Sequence, residues 1–176
     1  MDQLSKRTFQ VSTRYDIPVP MRDGSRLSTD LWLPQGDGPF PVILVRTPYN
    51  KNAAMHVEEG HYYASRGYVW VVQDVRGRFD SEGIWVSVRN EAEDGYDAVE
   101  WIAHQPWCNG KVGMYGGLYS GIVLLLTAVL QPPHLTCLLP RVAYAEMYKE
   151  WVYTGGAFAL GLTLPWMGVK MSSHTE

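Results

Sequence analysis

The chain has 176 residues, 46% of them hydrophobic, enough to bury one sizeable core; a single globular domain follows rather than a disordered or fibrous chain. Charged residues make up 19%, the formal net charge is −3, and no run of Lys or Arg could track a phosphate backbone, which excludes nucleic acid as a partner. Met1 to Arg7 has no apolar stretch behind its positive charges, so it does not resemble a secretory signal, and the longest greasy run, Ile122 to Leu130, falls short of the roughly 20 apolar residues that cross a bilayer. A soluble cytoplasmic protein without membrane contact is expected. Cys108 and Cys137 have neither metal-ligand spacing nor a disulfide framework and read as small, partly buried hydrophobes. No metal and no other cofactor is expected.

In chain order, Tyr15 to Leu33 reads as an antiparallel pair. Arg22-Asp23-Gly24-Ser25 supplies the turn, and Leu27, Thr29, Leu31 and Leu33 fall on one face of the second strand. Val42-Ile43-Leu44-Val45 and Tyr68-Val69-Trp70-Val71-Val72 are continuous runs of the kind found in strands buried on both faces. Next comes a segment with Glu91, Glu93 and Asp94 in its first turn and Ala98, Trp101 and Ile102 on one face, stopped by Pro106, which predicts a helix. Val112-Gly113-Met114 is a short third strand, and Leu135 to Val142 is a candidate fourth. Strands alternating with helices predict a mostly parallel sheet. Trp151 to Met167 is rich in aromatic, Gly and Leu residues without a clear period.

The informative segment is Gly113-Met114-Tyr115-Gly116-Gly117-Leu118-Tyr119-Ser120-Gly121, which follows a short apolar strand and precedes the helical run from Ile122. That is the context of a nucleophile elbow. Its turn is so tight that small residues must flank it, while the central side chain is thrust above the sheet; Gly116 and Gly121 meet the demand.

These residues resemble the cocaine-esterase and X-prolyl dipeptidyl-peptidase group of serine α/β-hydrolases, whose elbow reads Gly-x-Ser-Tyr-x-Gly. Gly116 to Gly121 agrees with it at every position except the serine, where Leu118 stands. Further blocks agree in order and spacing: Met21 to Gly24, Arg46 to Lys51, Asp74 to Gly83, Glu93 to Asp97, and Gln105 to Gly113. The resemblance implies an α/β-hydrolase fold, a mostly parallel sheet with an antiparallel amino-terminal hairpin, incomplete at the carboxyl end. Residues 1–145 would form a partial core and 146–176 the truncated start of a helical cap.

In such enzymes the resemblance implies an attacking serine at position 118, with the Tyr119 backbone N–H and the Tyr49 phenol donating to the developing oxyanion. The chemistry behind both donors is general: a tetrahedral intermediate needs preorganised donors, and the residue after the nucleophile opens a helix whose first N–H groups are free. Tyr49 could equally be a loop aromatic covering the core. Leucine has neither a lone pair nor a proton to give up, so no acyl-enzyme forms through it. Ser120 is no substitute, since two helical steps turn a side chain by roughly 200° from that of residue 118. The triad of this fold runs Ser, Asp or Glu, then His on later loops. Of His56, His61, His104, His134 and His174, three precede the elbow, and none is nominated as a base.

Two other clusters invite a site. Arg76, Arg78, Asp80 and Glu82 are expected to form an internally paired structural loop, and Glu58, Glu59 and His61 a solvated face without ligand spacing. The seven Trp and eleven Tyr suggest an aromatic-lined pocket, although most will simply pack. Two functional readings stand. One is an acyl hydrolase of ester, prolyl-peptide or amide bonds that is catalytically dead alone. The other is a non-catalytic module, or half of a split protein, holding a small acyl or peptide ligand and needing a companion chain. Strand 135–142 as an unpaired edge, with Trp151, Val152, Tyr153, Phe158, Leu160, Leu162, Leu164 and Trp166 uncovered, predicts oligomerisation, aggregation or a partner.

Overall fold

The computed structural model describes residues 5–171. Six strands, β1 (Gln10–Pro20), β2 (Arg26–Gln35), β3 (Phe40–Thr47), β4 (Val69–Asp74), β5 (Cys108–Gly117) and β6 (Leu135–Arg141), form one sheet in the order β1-β2-β4-β3-β5-β6. The β1–β2 and β2–β4 pairs are antiparallel, and β4, β3, β5 and β6 run parallel. The expected amino-terminal hairpin and the expected parallel sheet are both present. Gly24, with φ of 87°, makes the hairpin turn in the left-handed region that glycine enters without penalty.

Helices cover both faces. On one, α2 (Glu91–Ala103) and α3 (Tyr119–Val129) pack on Leu27, Leu31, Val42, Leu44, Val69 and Val71 through Ala98, Val99, Ile102 and Leu124. On the other, α1 (Ala54–Ala64) packs on Trp32, Val45, Trp70 and Val72. Gly60 lets α1 approach: a Cβ there would lie 2.5 Å from the Trp32 indole. This double covering explains a difference from the sequence pattern. One face of β2 was expected to be buried, whereas Ser28, Asp30 and Trp32 on its other face are buried as well, Trp32 because α1 lies over it and Ser28 and Asp30 because Asp16, Lys51 and Ser81 meet them.

The acidic first turn of α2 and its stop before Pro106 match the sequence pattern. By contrast α1 was not foreseen, because its apolar residues are too few to mark a face. Cys137 also differs: it is exposed on β6, while Cys108 is buried. Beyond β6 the chain forms short pieces, a π-helical turn (Tyr148–Val152), a 3-10 turn (Thr154–Gly156), α4 (Leu160–Pro165) and a π-helical stretch (Trp166–Met171). Positive φ at Gly155 and Gly156 breaks any longer helix, which accounts for the missing period. Of the eight side chains expected to be uncovered, Phe158, Leu160, Leu162 and Leu164 are exposed, but Trp151 is buried against Trp166 and Tyr144. No helix among the described residues is long and apolar enough to cross a membrane.

Candidate active site

β5 ends at Gly117 and α3 begins at Tyr119, so Leu118 alone makes the turn between them. Its φ of 55° and ψ of −125° lie in a region that side chains other than glycine rarely occupy. Two backbone bonds hold it there: its N–H donates to the Arg141 carbonyl at 3.1 Å, and its carbonyl accepts the Ile122 N–H at 3.1 Å. The flanking glycines are required by contact. A Cβ on Gly116 would lie 2.7 Å from Ser120 Cβ, and one on Gly121 3.0 Å from both Ala143 Cβ and the Arg141 carbonyl. The Leu118 side chain is 54% exposed above the turn, while Ser120 is buried against Gly116, as the helical rotation predicts.

Strain of this kind costs on the order of 1–3 kcal/mol for a residue with a Cβ. Leu118→Gly is therefore expected to raise the unfolding free energy by about 1 kcal/mol, since no buried packing is lost with an exposed side chain. Urea unfolding of the two proteins checks this; a destabilisation would show that the leucine packs in solution.

The Tyr119 side chain is buried between the elbow and the start of α2. Its hydroxyl donates to Glu91 Oε1 at 3.0 Å and accepts the Val88 N–H at 2.8 Å. Burial, with the Glu91 charge beside it, pushes this phenol well up. Glu91 in turn receives Arg46 Nη1 at 3.0 Å, and Arg46 Nε donates to Gln73 Oε1 at 2.8 Å, so β3, β4, α2 and the elbow meet in one buried network. Burial raises the Glu91 carboxyl, and the Arg46 charge pulls it back.

Tyr49 follows β3. Burial raises its phenol, while the Trp166 indole N–H and the Tyr119 backbone N–H at its oxygen pull it back; the indole lies 3.1 Å away. The Tyr49 hydroxyl and the Tyr119 N–H, implied by the resemblance to be oxyanion donors, thus lie beside one another, and Trp166, not singled out as a site residue, donates to the same phenol oxygen. Trp166 also stacks on Tyr119 and meets Trp151 edge-on, giving the site an aromatic wall.

The charged loop after β4 holds the Tyr49 loop in place. Arg78 Nε donates to the Pro48 carbonyl at 3.1 Å, and Asp74 Oδ1 accepts the Lys51 N–H at 2.8 Å. Arg76 pairs with Asp94 at 2.6 Å and Asp23 at 2.7 Å, Glu82 with Arg26, and Asp80 with Lys51. The loop is tied down by ion pairs, but these run outward to α2, the β1–β2 hairpin and the Tyr49 loop where pairing within the loop was expected.

A cavity of about 320 Å³ opens beside Leu118, bounded by the Tyr49 loop, α1, the end of β5 and the end of β6. His56 and Glu59 line it, as do Tyr115 and Arg141. Sequence reasoning passed over Tyr115 and Arg141, read Glu59 as part of a solvated face and set His56 aside because it precedes the elbow; in the structure Glu59 is three-quarters covered and bonded to Tyr115, and its i,i+3 spacing from His56 would have placed the two on one face had α1 been recognised. Among the described residues, no group of three or more His, Cys, Asp or Glu is arranged to hold a metal ion.

Comparison with known proteins accords with this geometry. Residues 23–176 match the model of the X-Pro dipeptidyl-peptidase (S15) family. The chain is 39% identical over 160 residues to a cocaine esterase of Rhodococcus sp. (strain MB1 Bresler), covering 88% of this chain and 28% of that protein. Among solved structures, a CocE/NonD family hydrolase of Staphylococcus aureus is 30% identical with a TM-score of 0.75, over 81% of this chain and 29% of the other. An aminopeptidase from a marine-sediment Thaumarchaeota archaeon is 27% identical with a TM-score of 0.74, over 94% and 31%. The chain thus spans less than a third of the length of these relatives. Its sheet order, its elbow and the agreement of nearly its whole length place it in the X-Pro dipeptidyl-peptidase (S15) family of hydrolases.

Proposed function

We propose that this chain is the elbow-bearing part of an S15-type acyl-hydrolase fold that cradles a carbonyl group between Tyr49 and the Tyr119 N–H but forms no acyl-enzyme. The observation that supports this is Leu118 itself, held at the strained strand-to-helix turn with its side chain projecting where the attacking atom is needed. An alkyl side chain supplies no electron pair, so the covalent route is closed while the electrophile-binding half persists. Pre-steady-state mixing with p-nitrophenyl acetate tests the reading: no burst of nitrophenol is expected, whereas a burst equal to the protein concentration would refute it.

A second reading, a companion chain or self-association, is favoured by β6. It is an edge strand, and Leu139 and Val142 beside it are exposed together with Leu118 and Leu130. Such an edge offers unpaired N–H and C=O groups next to apolar surface. Light scattering should show mass rising with concentration; a constant monomer mass would remove this reading.

A further inference from the structure

The cavity beside Leu118 has largely apolar walls, Val45, Met55 and Val142 among them, and the ionisable groups His56, Glu59 and Arg141 line it too. These three do not offer themselves equally to a ligand. Glu59 Oε2 and His56 Nδ1 are buried and face one another at 3.6 Å, and Glu59 Oε1 accepts the Tyr115 hydroxyl at 3.4 Å. Arg141, by contrast, is exposed. Among the described residues it has no carboxylate partner, and its side chain makes one hydrogen bond, from Nη1 to Tyr115 Oη at 2.8 Å.

Its place is set by the backbone. The parallel register of β5 and β6 pairs Arg141 with Gly117, one residue before the elbow, and the Arg141 carbonyl accepts the Leu118 N–H at 3.1 Å. A Cβ on Gly117 would lie 3.8 Å from Arg141 Cβ, so the two positions share one face of the sheet, and Tyr115, two residues back along β5, shares it with them. The bare Gly117 leaves that face open between Arg141 and the elbow. The guanidinium is thereby tethered to a phenol that lines the cavity. Of its five N–H donors one is spent on Tyr115, and the rest form a planar fork that matches a carboxylate.

We propose that this cavity selects a short acyl chain ending in a carboxylate, with the carboxylate on Arg141 and the acyl carbonyl at Tyr49 and the Tyr119 N–H. The carbonyl end rests on the cradle reading given above; the carboxylate end stands on Arg141 alone. Charge complementarity decides for an anion over a cation. Glu59, the acidic group of the lining, is closed off by Tyr115 and His56, whereas the exposed charge belongs to Arg141. The apolar lining suits the methylene groups between the two ends, and about 320 Å³ is near the lower bound of ligand pockets, which keeps the chain short.

The test titrates the full chain, carrying ¹⁵N, with monomethyl succinate and monomethyl adipate, followed by amide NMR shifts. Methyl 4-methylpentanoate, which replaces the carboxylate of the shorter probe by an isopropyl group of like shape, is the neutral control, and sodium acetate the free-carboxylate control. At least one monoester should bind about tenfold or more tighter than either control, the return of one charge-assisted hydrogen bond. Arg141→Gln should erase that preference, and Arg141→Lys, which keeps the charge without the fork, should restore part of it. Equal affinity for monoester and neutral ester, binding no tighter than acetate, no binding of either monoester, or a preference that survives Arg141→Gln would each overturn the proposal. If Arg141→Gln does not fold, the partial loss in Arg141→Lys carries the comparison. Tyr49→Phe reports on the cradle separately: a monoester preference lost in Arg141→Gln and untouched by Tyr49→Phe would uphold the Arg141 site while removing the carbonyl cradle.

Discussion

Arg46→Ala is expected to lower the unfolding free energy by about 3–5 kcal/mol, the cost of stripping one partner from a buried ion pair. Arg46 is 1% exposed and Glu91 3%, and the guanidinium holds Glu91 Oε2, the Glu91 carbonyl and Gln73 at once. Its removal leaves a carboxylate in the interior next to Asp94 and frees the group that receives the Tyr119 hydroxyl. Because burial already favours protonated Glu91, the loss should shrink as pH falls and the orphaned acid takes up a proton. Urea unfolding at two pH values measures it. A loss below about 1 kcal/mol at neutral pH would mean that the pair is reached by water and is no keystone of the elbow.

A second large effect is expected at Asp74. This carboxyl at the end of β4 is fully buried; Oδ1 accepts the Lys51 N–H, and Oδ2 has no partner among the described residues. Burial pushes it up to about 7 from 3.8, opposed by the Lys51 N–H and charge. A folded-state value above the unfolded one means that the native chain binds the proton more tightly, so the contribution to stability is full below pH 3.8 and lost as pH rises through 7. Three units at 1.36 kcal/mol each set the scale at about 4 kcal/mol across that window. Asp74→Asn, which keeps the acceptor for Lys51 and removes the proton, should flatten this dependence. Denaturant midpoints of both proteins from pH 4.5 to 8 decide it: equal slopes would place the titration elsewhere, Asp30 being the nearest candidate because burial raises it too.

How far the sequence led can be judged at particular residues. The hairpin, the doubly buried strands and α2 were legible because their apolar periods and turn residues agree with the tertiary environment. The elbow was legible because a tight strand-to-helix turn imposes Gly116 and Gly121, and the structure shows the contacts that impose them. Hidden from the sequence was α1, whose inner face presents Gly60 and His56 rather than a stripe of large apolar side chains. With it went the cavity, since Arg141 donates to Tyr115 and Tyr115 to Glu59 across three elements, and no local spacing records that meeting.

The relative positions of Leu118, Tyr49 and the Tyr119 N–H imply one outcome that can be measured directly. Purified unsubstituted chain, incubated with a fluorophosphonate probe and weighed intact, should show no adduct, because the residue at the elbow has no hydroxyl to activate. Stoichiometric labelling, mapped to Ser120, would contradict this and move the attacking position two residues into α3.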